Sequence, residues 1–326
     1  MNALDQIKQY TVIVADTGDI DSIARSKPQD ATTNPSLLNK AAQMPQYADL
    51  LREAVAACKV GRGMSGVPSK DLINDVIDQL SVIFGLRILT IVPGRVSIEV
   101  DARLSFDEAA MVEKGRKLIG MFAEHHVSAD RILIKIASTW EGIRAAEQLE
   151  REGIHCNLTL LFGFGQAVAC ADAGVTLISP FVGRILDWYK KSQGVSAFPI
   201  EQDPGVLSVH RIFNYFKRYG YQTQVMGASF RSVEQVKALS GCDLLTVSPG
   251  LLAELDQSNE HVPQGLDADV ARLMSLDRVT LNESSFRWML NQDAMATEKL
   301  SEGIRGFADD LETLSRYLEG FIASKS

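Results

Sequence analysis

The alternation of short β-rich runs with longer amphipathic segments is the feature that most restricts how this chain can fold. Such alternation is typical of βα units that join into a parallel sheet. The predicted strands are residues 11–15, 30–33, 96–101, 132–137, 154–160, 176–179, 222–227 and 244–247. Eight strands without an intervening linker favour a closed (β/α)8 TIM barrel over an open sheet. We therefore predict an α/β protein with a single barrel domain over residues 1–326.

The segments between the strands show helical periodicity and local start signals. Three predicted helices are residues 36–58, 106–122 and 140–152, where apolar residues recur at steps of three and four. Ser138 and Ser232 each begin a capping-box sequence, while Asn34 and Ser248 each precede a proline suited to the first helical position. These signals mark the C-terminal ends of strands four, seven, two and eight.

A long C-terminal helix is predicted after residue 294, because apolar residues there alternate steps of four and three. The seam is Leu300, Ile304, Phe307, Leu311, Leu314, Leu318 and Phe321. It would pack either on its own barrel or against another subunit. Three polar stretches, residues 59–70, 190–205 and 257–267, are predicted to be surface loops or irregular insertions.

Composition excludes several classes of protein. The 33 Lys and Arg residues against 41 Asp and Glu give a net charge of -8, which argues against general binding to nucleic acid or to an anionic membrane. The four cysteines form no C-x-x-C pair, and no segment has eighteen uninterrupted apolar residues. We expect a soluble cytoplasmic protein with reduced thiols. Metal-ligand spacing and glycine-rich cofactor motifs are absent from the sequence, so no metal or cofactor is expected.

Lys135 is the first candidate for chemistry. Strand alternation places it on one face with Leu133 and Ala137, near the end of the strand where barrel active sites are assembled. Desolvation of an ammonium favours the free amine, and a free amine can attack a ketone to form a Schiff base. A structural ion pair with a carboxylate explains such a lysine equally well, so this strand alone does not decide.

Carboxylates at other strand ends extend the candidate set. Asp16 ends the first strand, and Glu99 shares a face of the third strand with Ser97 and Asp101. Such carboxylates are costly in a barrel unless they are paired or functional. Asp16 could instead form an Asx turn, and Glu99 could pair with a basic neighbour. Alternation does not say whether Glu99 or Asp101 serves a site.

Asn157 and Thr159 lie two residues apart, hence on one face of the fifth strand, where they could bind hydroxyl groups or a water molecule. Buried polar residues often bond only to nearby backbone, and a helix cap fully explains Asn34.

Two loops after neighbouring strands each present a hydroxyl and a guanidinium. Ser179 and Arg184 follow the sixth strand, while Ser229 and Arg231 follow the seventh. Surface ion pairs would explain each arginine separately, but two in adjacent loops favour a phosphate site on an otherwise acidic protein.

Together these segments closely resemble the class I transaldolase family. The similarity rests on DATTNPS at residues 30–36, VPGRVSIEVDARLS at 92–105, ILIKIASTWEG at 132–142, CNLTLLF at 156–162 and ISPFVGRILDWY at 178–189. It extends from about residue 10 to the C-terminal helix. The sequence departs from the family at Gly163 and Gly165, where small residues such as Ser and Ala are usual, so we expect a more flexible loop. The stretch of residues 257–282 is also less similar.

The resemblance implies a role for each candidate. Lys135 would form a Schiff base with a ketose phosphate, and Asp16 would take the proton from the donor's C4 hydroxyl. Glu99, rather than Asp101, would hold a water molecule with Thr159. The other residues would bind substrate: Asn34, Asn157 and Ser179 its hydroxyl groups, Arg184, Ser229 and Arg231 its phosphate, with Thr32 and Phe181 lining the pocket.

The expected activity is transfer of a dihydroxyacetone unit from sedoheptulose 7-phosphate to glyceraldehyde 3-phosphate in the non-oxidative pentose phosphate pathway. The substrates would be ketose and aldose phosphates, and the resemblance implies a homodimer. One alternative is a related aldolase that releases dihydroxyacetone, although such aldolases carry a tyrosine at the place of Phe181. The other is a non-catalytic barrel that binds sugar phosphates.

Overall fold

Eight parallel strands form a closed barrel in the computed structural model, which describes residues 1–59 and 69–324. Each strand pairs with the next in the sequence, and β8 pairs with β1 to close the barrel. The strands are β1 Val12–Asp16, β2 Asp30–Thr32, β3 Val96–Glu99, β4 Ile132–Ala137, β5 Cys156–Leu161, β6 Leu177–Pro180, β7 Gln224–Gly227 and β8 Leu244–Val247. The predicted (β/α)8 barrel is confirmed.

The third strand is shorter than predicted. It ends at Glu99, because the Asp101 carboxylate accepts a hydrogen bond from the Arg103 backbone N–H and begins a 3-10 helix. The prediction that this strand reaches residue 101 was therefore wrong. Asp101 belongs to the loop that follows the strand.

Helices fill the connections and cover the outside of the barrel. They are α1 Ala3–Ile7, α2 Ile20–Ser26, α3 Pro35–Ala42, α4 Ala48–Lys59, α5 Lys70–Leu89, α6 Glu108–Glu124, α7 Trp140–Arg151, α8 Phe164–Asp172, α9 Gly183–Gln193, α10 Pro204–Tyr219, α11 Val233–Ala238, α12 Pro249–Gln257, α13 Ala268–Leu273, α14 Glu283–Gln292 and α15 Ala294–Ala323. Four short 3-10 helices are Pro45–Tyr47, Ala102–Leu104, Ala129–Arg131 and Ile200–Gln202.

Two helix predictions need correction. The predicted helix 36–58 is divided into α3 and α4, because Pro45 cannot continue a helix and instead begins a 3-10 turn. The cap of α7 is Thr139, whose hydroxyl accepts from the Gly142 N–H, whereas the Ser138 hydroxyl donates to the Thr159 carbonyl. The predicted caps at Asn34 and Ser232 are confirmed by side-chain bonds to the first turns of α3 and α11.

The three predicted loops have different outcomes. Most of the stretch 59–70 lies outside the described residues. The stretch 190–205 is not a loop throughout: α9 continues to Gln193 and α10 begins at Pro204. The stretch 257–267 is irregular after the last residue of α12 and leads into α13.

The barrel strands separate an inner core from an outer one. Inside, Val14, Leu133, Leu177, Met226 and Leu244 form an apolar floor. On β4 the alternate residues Ile132, Ile134 and Ile136 point outward and join the large core between strands and helices. Lys135 therefore lies one step above the floor, on the inner face of the barrel.

Helix α15 packs on its own barrel and covers the mouth. Its first half buries Leu300, Ile304 and Phe307 against residues at the ends of β4, β5 and β6. Its second half joins a separate apolar cluster with α3, α4 and α5. The predicted seam is confirmed up to Leu318, but Phe321 is only partly buried, and Ile322 takes the next core position.

Gly163 and Gly165 lie where α15 and α14 approach the fifth connection closely. A Cβ at Gly163 would be 3.1 Å from the Ala296 Cβ, and one at Gly165 would be 3.0 Å from the Met289 sulfur. The Gln166 side chain also accepts a bond from the Gly163 N–H. Close packing thus gives a physical reason for the two glycines that does not require a flexible loop.

None of the described helices combines the length and the apolar character that crossing a bilayer requires.

The α15 seam should contribute strongly to stability. Leu314 is fully buried, so Leu314→Ala should lower the free energy of unfolding by about 2–5 kcal/mol in urea titration. Thr313→Ala changes an exposed neighbour on the same helix and should alter the free energy of unfolding by less than about 0.5 kcal/mol. Equal effects of the two substitutions would contradict the assignment of this face as core.

Candidate active site

The register of three neighbouring strands brings the main polar residues to one level. Lys135 on β4 pairs with Glu99 on β3 and with Asn157 on β5. Glu99 ends β3 and Lys135 lies two residues before the end of β4, at the end where βα barrels carry their active sites, whereas Asn157 is the second residue of the longer strand β5. The level lies between the apolar floor and the covering helix α15.

Lys135 is almost fully enclosed, with 6% of its side chain exposed. Its Nζ is 3.2 Å from Glu99 Oε2 and donates to the Thr33 carbonyl oxygen at 3.2 Å. A buried ammonium needs such partners, because its desolvation is otherwise uncompensated. The same arrangement directs the lysine nitrogen into the barrel mouth.

Glu99 is the carboxylate adjacent to the lysine. Its side chain is 4% exposed, and burial raises its pKa, although the Lys135 charge opposes that shift. Asp101 instead pairs with Arg103, which also donates from Nε. Strand alternation did not distinguish Glu99 from Asp101, but their positions differ. Glu99 adjoins Lys135, whereas Asp101 does not.

Asp16 enters the mouth from the end of β1. Its carboxylate accepts a weak hydrogen bond of 3.4 Å from the Thr32 hydroxyl, which also lies 3.2 Å from the Thr246 hydroxyl. Burial raises the pKa of Asp16, and the Lys135 charge and the Thr32 bond oppose the shift. The carboxyl group therefore holds its proton to a higher pH than an exposed aspartate does.

A chain of polar side chains lines β5 and its neighbours. Asn157 donates from Nδ2 to the Ser97 hydroxyl at 3.0 Å and accepts from the Ser179 hydroxyl at 2.6 Å. Thr159 lies farther along the same face, and its buried hydroxyl has no hydrogen-bond partner among the described residues. Such a hydroxyl can bond to substrate or to water.

Eight of the twelve predicted site residues line a single small cavity at the barrel mouth. Its volume is about 60 Å³. Its walls are Asp16, Thr32, Asn34, Lys135, Ser179, Phe181, Arg184, Met226, Ala228, Ser229, Thr246 and Phe307. Of the other four, Glu99 contacts Lys135, and Asn157 contacts Ser179. Thr159 shares the inner face of β5 with Asn157, and Arg231 contacts Ser229.

Arg184 and Arg231 lie at the same rim of this cavity but contact different groups. Arg231 is paired with Asp187, with Nη2 2.8 Å from Oδ2. Arg184 lies over the Phe181 ring, 4.9 Å from its centroid. Burial and the nearby Arg231 charge lower the pKa of Arg184. Its guanidinium keeps its charge, so both groups can attract an anion.

The Ser229 backbone links the two arginine loops. Its carbonyl accepts from the Gly183 N–H at 2.8 Å and from Arg231 Nη1 at 3.3 Å. Its φ of 61° is in the left-handed region, where a non-glycine residue is strained. This turn brings both loops to the same rim.

The structure adds residues that the sequence reasoning missed. Thr246 and Met226 line the cavity from the inner faces of β8 and β7, and alternation could have placed them there. Phe307 comes from α15, and its helical seam predicted burial but not a position in the site. Asp187, which contacts Arg231, is one turn from Arg184 on α9.

No group of three or more potential metal ligands comes together within residues 1–59 and 69–324.

The raised pKa of Asp16 predicts a cost in stability. The folded protein favours the protonated Asp16 carboxyl group, so protonation of Asp16 stabilises the fold at low pH. That stabilisation is lost as the pH rises through the pKa of Asp16 in the folded protein. Asp16→Asn should therefore raise the midpoint of thermal unfolding at pH 8 by about 2 °C or more, with a smaller gain near pH 4. Asp277→Asn, at an exposed position, should show neither the gain nor its pH dependence. A gain that grows toward low pH would contradict the direction of the shift.

Comparison with known proteins identifies the family of this chain. The family described as Transaldolase/Fructose-6-phosphate aldolase matches residues 13–318. A transaldolase of Thermosynechococcus vestitus is 56% identical over 323 residues, which cover 99% of this chain and 82% of that protein. The Homo sapiens transaldolase is 56% identical over 318 residues, covering 97% and 93%. The Methylococcus capsulatus transaldolase is 52% identical over 322 residues, covering 99% and 98%. The chain belongs to the transaldolase/fructose-6-phosphate aldolase family.

Proposed function

We propose that this protein is a transaldolase. It transfers a dihydroxyacetone unit from sedoheptulose 7-phosphate to glyceraldehyde 3-phosphate, giving erythrose 4-phosphate and fructose 6-phosphate in the non-oxidative pentose phosphate pathway. The observation that carries this proposal is the enclosed Lys135 beside Glu99, in a mouth that also holds Asp16 and two arginines. The relatives named transaldolase, which match almost the whole chain, support the same activity.

Lys135 is the proposed nucleophile. Its free amine adds to the ketone carbon of the sugar phosphate to give a carbinolamine, which loses water to form the protonated imine. Glu99 is adjacent to the lysine nitrogen and has a raised pKa, so it can carry protons in these steps. The free Thr159 hydroxyl would hold the water with Glu99.

Asp16 is the proposed base for carbon–carbon cleavage. It takes the proton of the C4 hydroxyl while the C3–C4 bond breaks, and the electron pair of that bond moves into the imine to give an enamine. In the second half-reaction the enamine carbon attacks the acceptor aldehyde, and Asp16 returns the proton to the new hydroxyl. A final hydrolysis of the imine frees the product and Lys135.

The remaining residues would hold the substrate. Asn34 uses its carbonyl oxygen to cap α3, bonding to the Leu37 N–H at 2.9 Å, so its amide donors are available to a sugar hydroxyl. In the linked pair, the second Nδ2 hydrogen of Asn157 can donate to the same three-carbon unit and the Ser179 hydroxyl oxygen can accept from it. Thr32 and Phe181 shape the pocket, and Arg184, Ser229 and Arg231 would bind the phosphate at the rim.

Transfer requires the three-carbon enamine to remain enclosed until an acceptor arrives. Phe181 supports transfer over release, because the related aldolases carry a tyrosine there, whose hydroxyl could deliver a proton to the enamine. With fructose 6-phosphate as the donor, we expect rapid turnover only when erythrose 4-phosphate is added, with release of free dihydroxyacetone at least about 100-fold slower. Comparable release of dihydroxyacetone without acceptor, measured by coupled reduction, would assign the aldolase activity instead.

The roles of Lys135 and Asp16 are separable by trapping. Borohydride reduction with fructose 6-phosphate should attach the sugar to the peptide that contains Lys135, as shown by mass mapping. Asp16→Ala should still be trapped while its transfer rate falls by about 10²-fold or more, because only cleavage needs this base. Lys135→Met should lose both the trapped adduct and the transfer activity. Loss of trapping in Asp16→Ala, or an adduct at another lysine, would contradict these assignments.

We also propose a homodimer in the cytoplasm, on the basis of the family likeness. The structure describes one chain, in which α15 is already packed on its own barrel. Light scattering coupled to size exclusion would report a mass near twice the 35.7 kDa of the chain.

A further inference from the structure

Arg184 differs from the other rim arginine in what surrounds its charge. Within the described part of the chain, no carboxylate lies at ion-pair distance from Arg184 and no hydrogen bond satisfies its N–H groups, whereas Arg231 is paired with Asp187. Glu302, Glu99 and Asp16 act on this charge only from beyond ion-pair distance, so none of them fixes the orientation of the half-buried guanidinium.

Two aromatic rings contact the Arg184 guanidinium directly. The guanidinium carbon lies 4.9 Å from the Phe181 ring centroid and 5.7 Å from the Phe307 ring centroid. Both distances are within the range of a cation–π interaction. The ring faces attract the positive charge and restrict the orientation of the guanidinium plane. They do not accept conventional hydrogen bonds from its five N–H groups. Those donors therefore stay available to an anion.

Helix α15 fixes the position of the Phe307 ring beside Arg184. Only 3% of Phe307 is exposed, and it lies in the α15 seam between Ile304 and Leu311. It is also the one residue of α15 among the cavity walls. Phe307 is thus the side chain through which α15 lines the cavity.

We infer that Phe307 is a positioning residue for the phosphate site: its ring holds Arg184 in the orientation that receives the phosphoryl group of the substrate. The inference rests on the proposed function and adds to it the part that the C-terminal helix plays. It predicts that affinity for phosphate depends on an aromatic ring at position 307. The chemistry at Lys135 depends on it much less.

The test uses inorganic phosphate as a probe, so that binding is read without turnover. Phe307→Leu keeps apolar volume but removes the ring face, and it should weaken phosphate binding in calorimetry by about three- to tenfold. The KM for fructose 6-phosphate should rise by a similar factor, with kcat within about twofold. Phe307→Tyr retains the ring and should stay within about twofold of the native protein in both measurements.

The control is Ile304→Ala, one turn earlier in the same apolar cluster and outside the cavity walls. It disturbs the packing of α15 without touching Arg184, and it should leave the phosphate affinity within about twofold. Unchanged affinity in Phe307→Leu, or equal weakening in Phe307→Leu and Ile304→Ala, would overturn the inference. Failure of the proposed function is distinguishable, because the native protein would then bind phosphate but transfer no dihydroxyacetone.

Discussion

The burial of the Lys135 ammonium beside the Glu99 carboxylate is the interaction on which the site depends. Two charges removed from water are tolerated only when their geometry is good, and loss of one partner from a buried pair typically costs about 3–5 kcal/mol. The barrel provides that geometry through strand register, since Glu99 and Lys135 are direct neighbours on β3 and β4.

Two apolar layers separate this pair from bulk solvent. The floor formed around Leu133 and Met226 closes the barrel beneath it, and the first half of α15 covers the mouth above it. An enamine that waits for an acceptor needs such a chamber, because bulk water would protonate it. The covering helix therefore belongs to the chemistry of transfer as much as to the stability of the fold.

The sequence predicted the barrel well because each strand is a local pattern of apolar residues followed by a helix signal. It predicted less well wherever the outcome depended on contacts between distant segments. Alternation placed Glu99 and Asp101 on one face, and only the end of β3 at Glu99 separates them, because Asp101 turns to Arg103. Periodicity likewise predicted that Phe307 is buried, but its contact with Arg184 joins residues 123 positions apart. No local pattern carries that information.

Two polar groups of residues, at opposite ends of the barrel, differ in how far their hydrogen bonds are satisfied. At the N-terminal end the buried Asp30 accepts from the backbone N–H and from Nε of Arg95, which also donates to Gln224, so this polar cluster is well satisfied. At the other end the Thr159 hydroxyl is unpaired and Ser229 is held in the left-handed region. Unsatisfied and strained groups persist only where the surrounding structure holds them in place, and the apolar floor and α15 do so here. An unpaired hydroxyl beside the cavity can bond to substrate or to water.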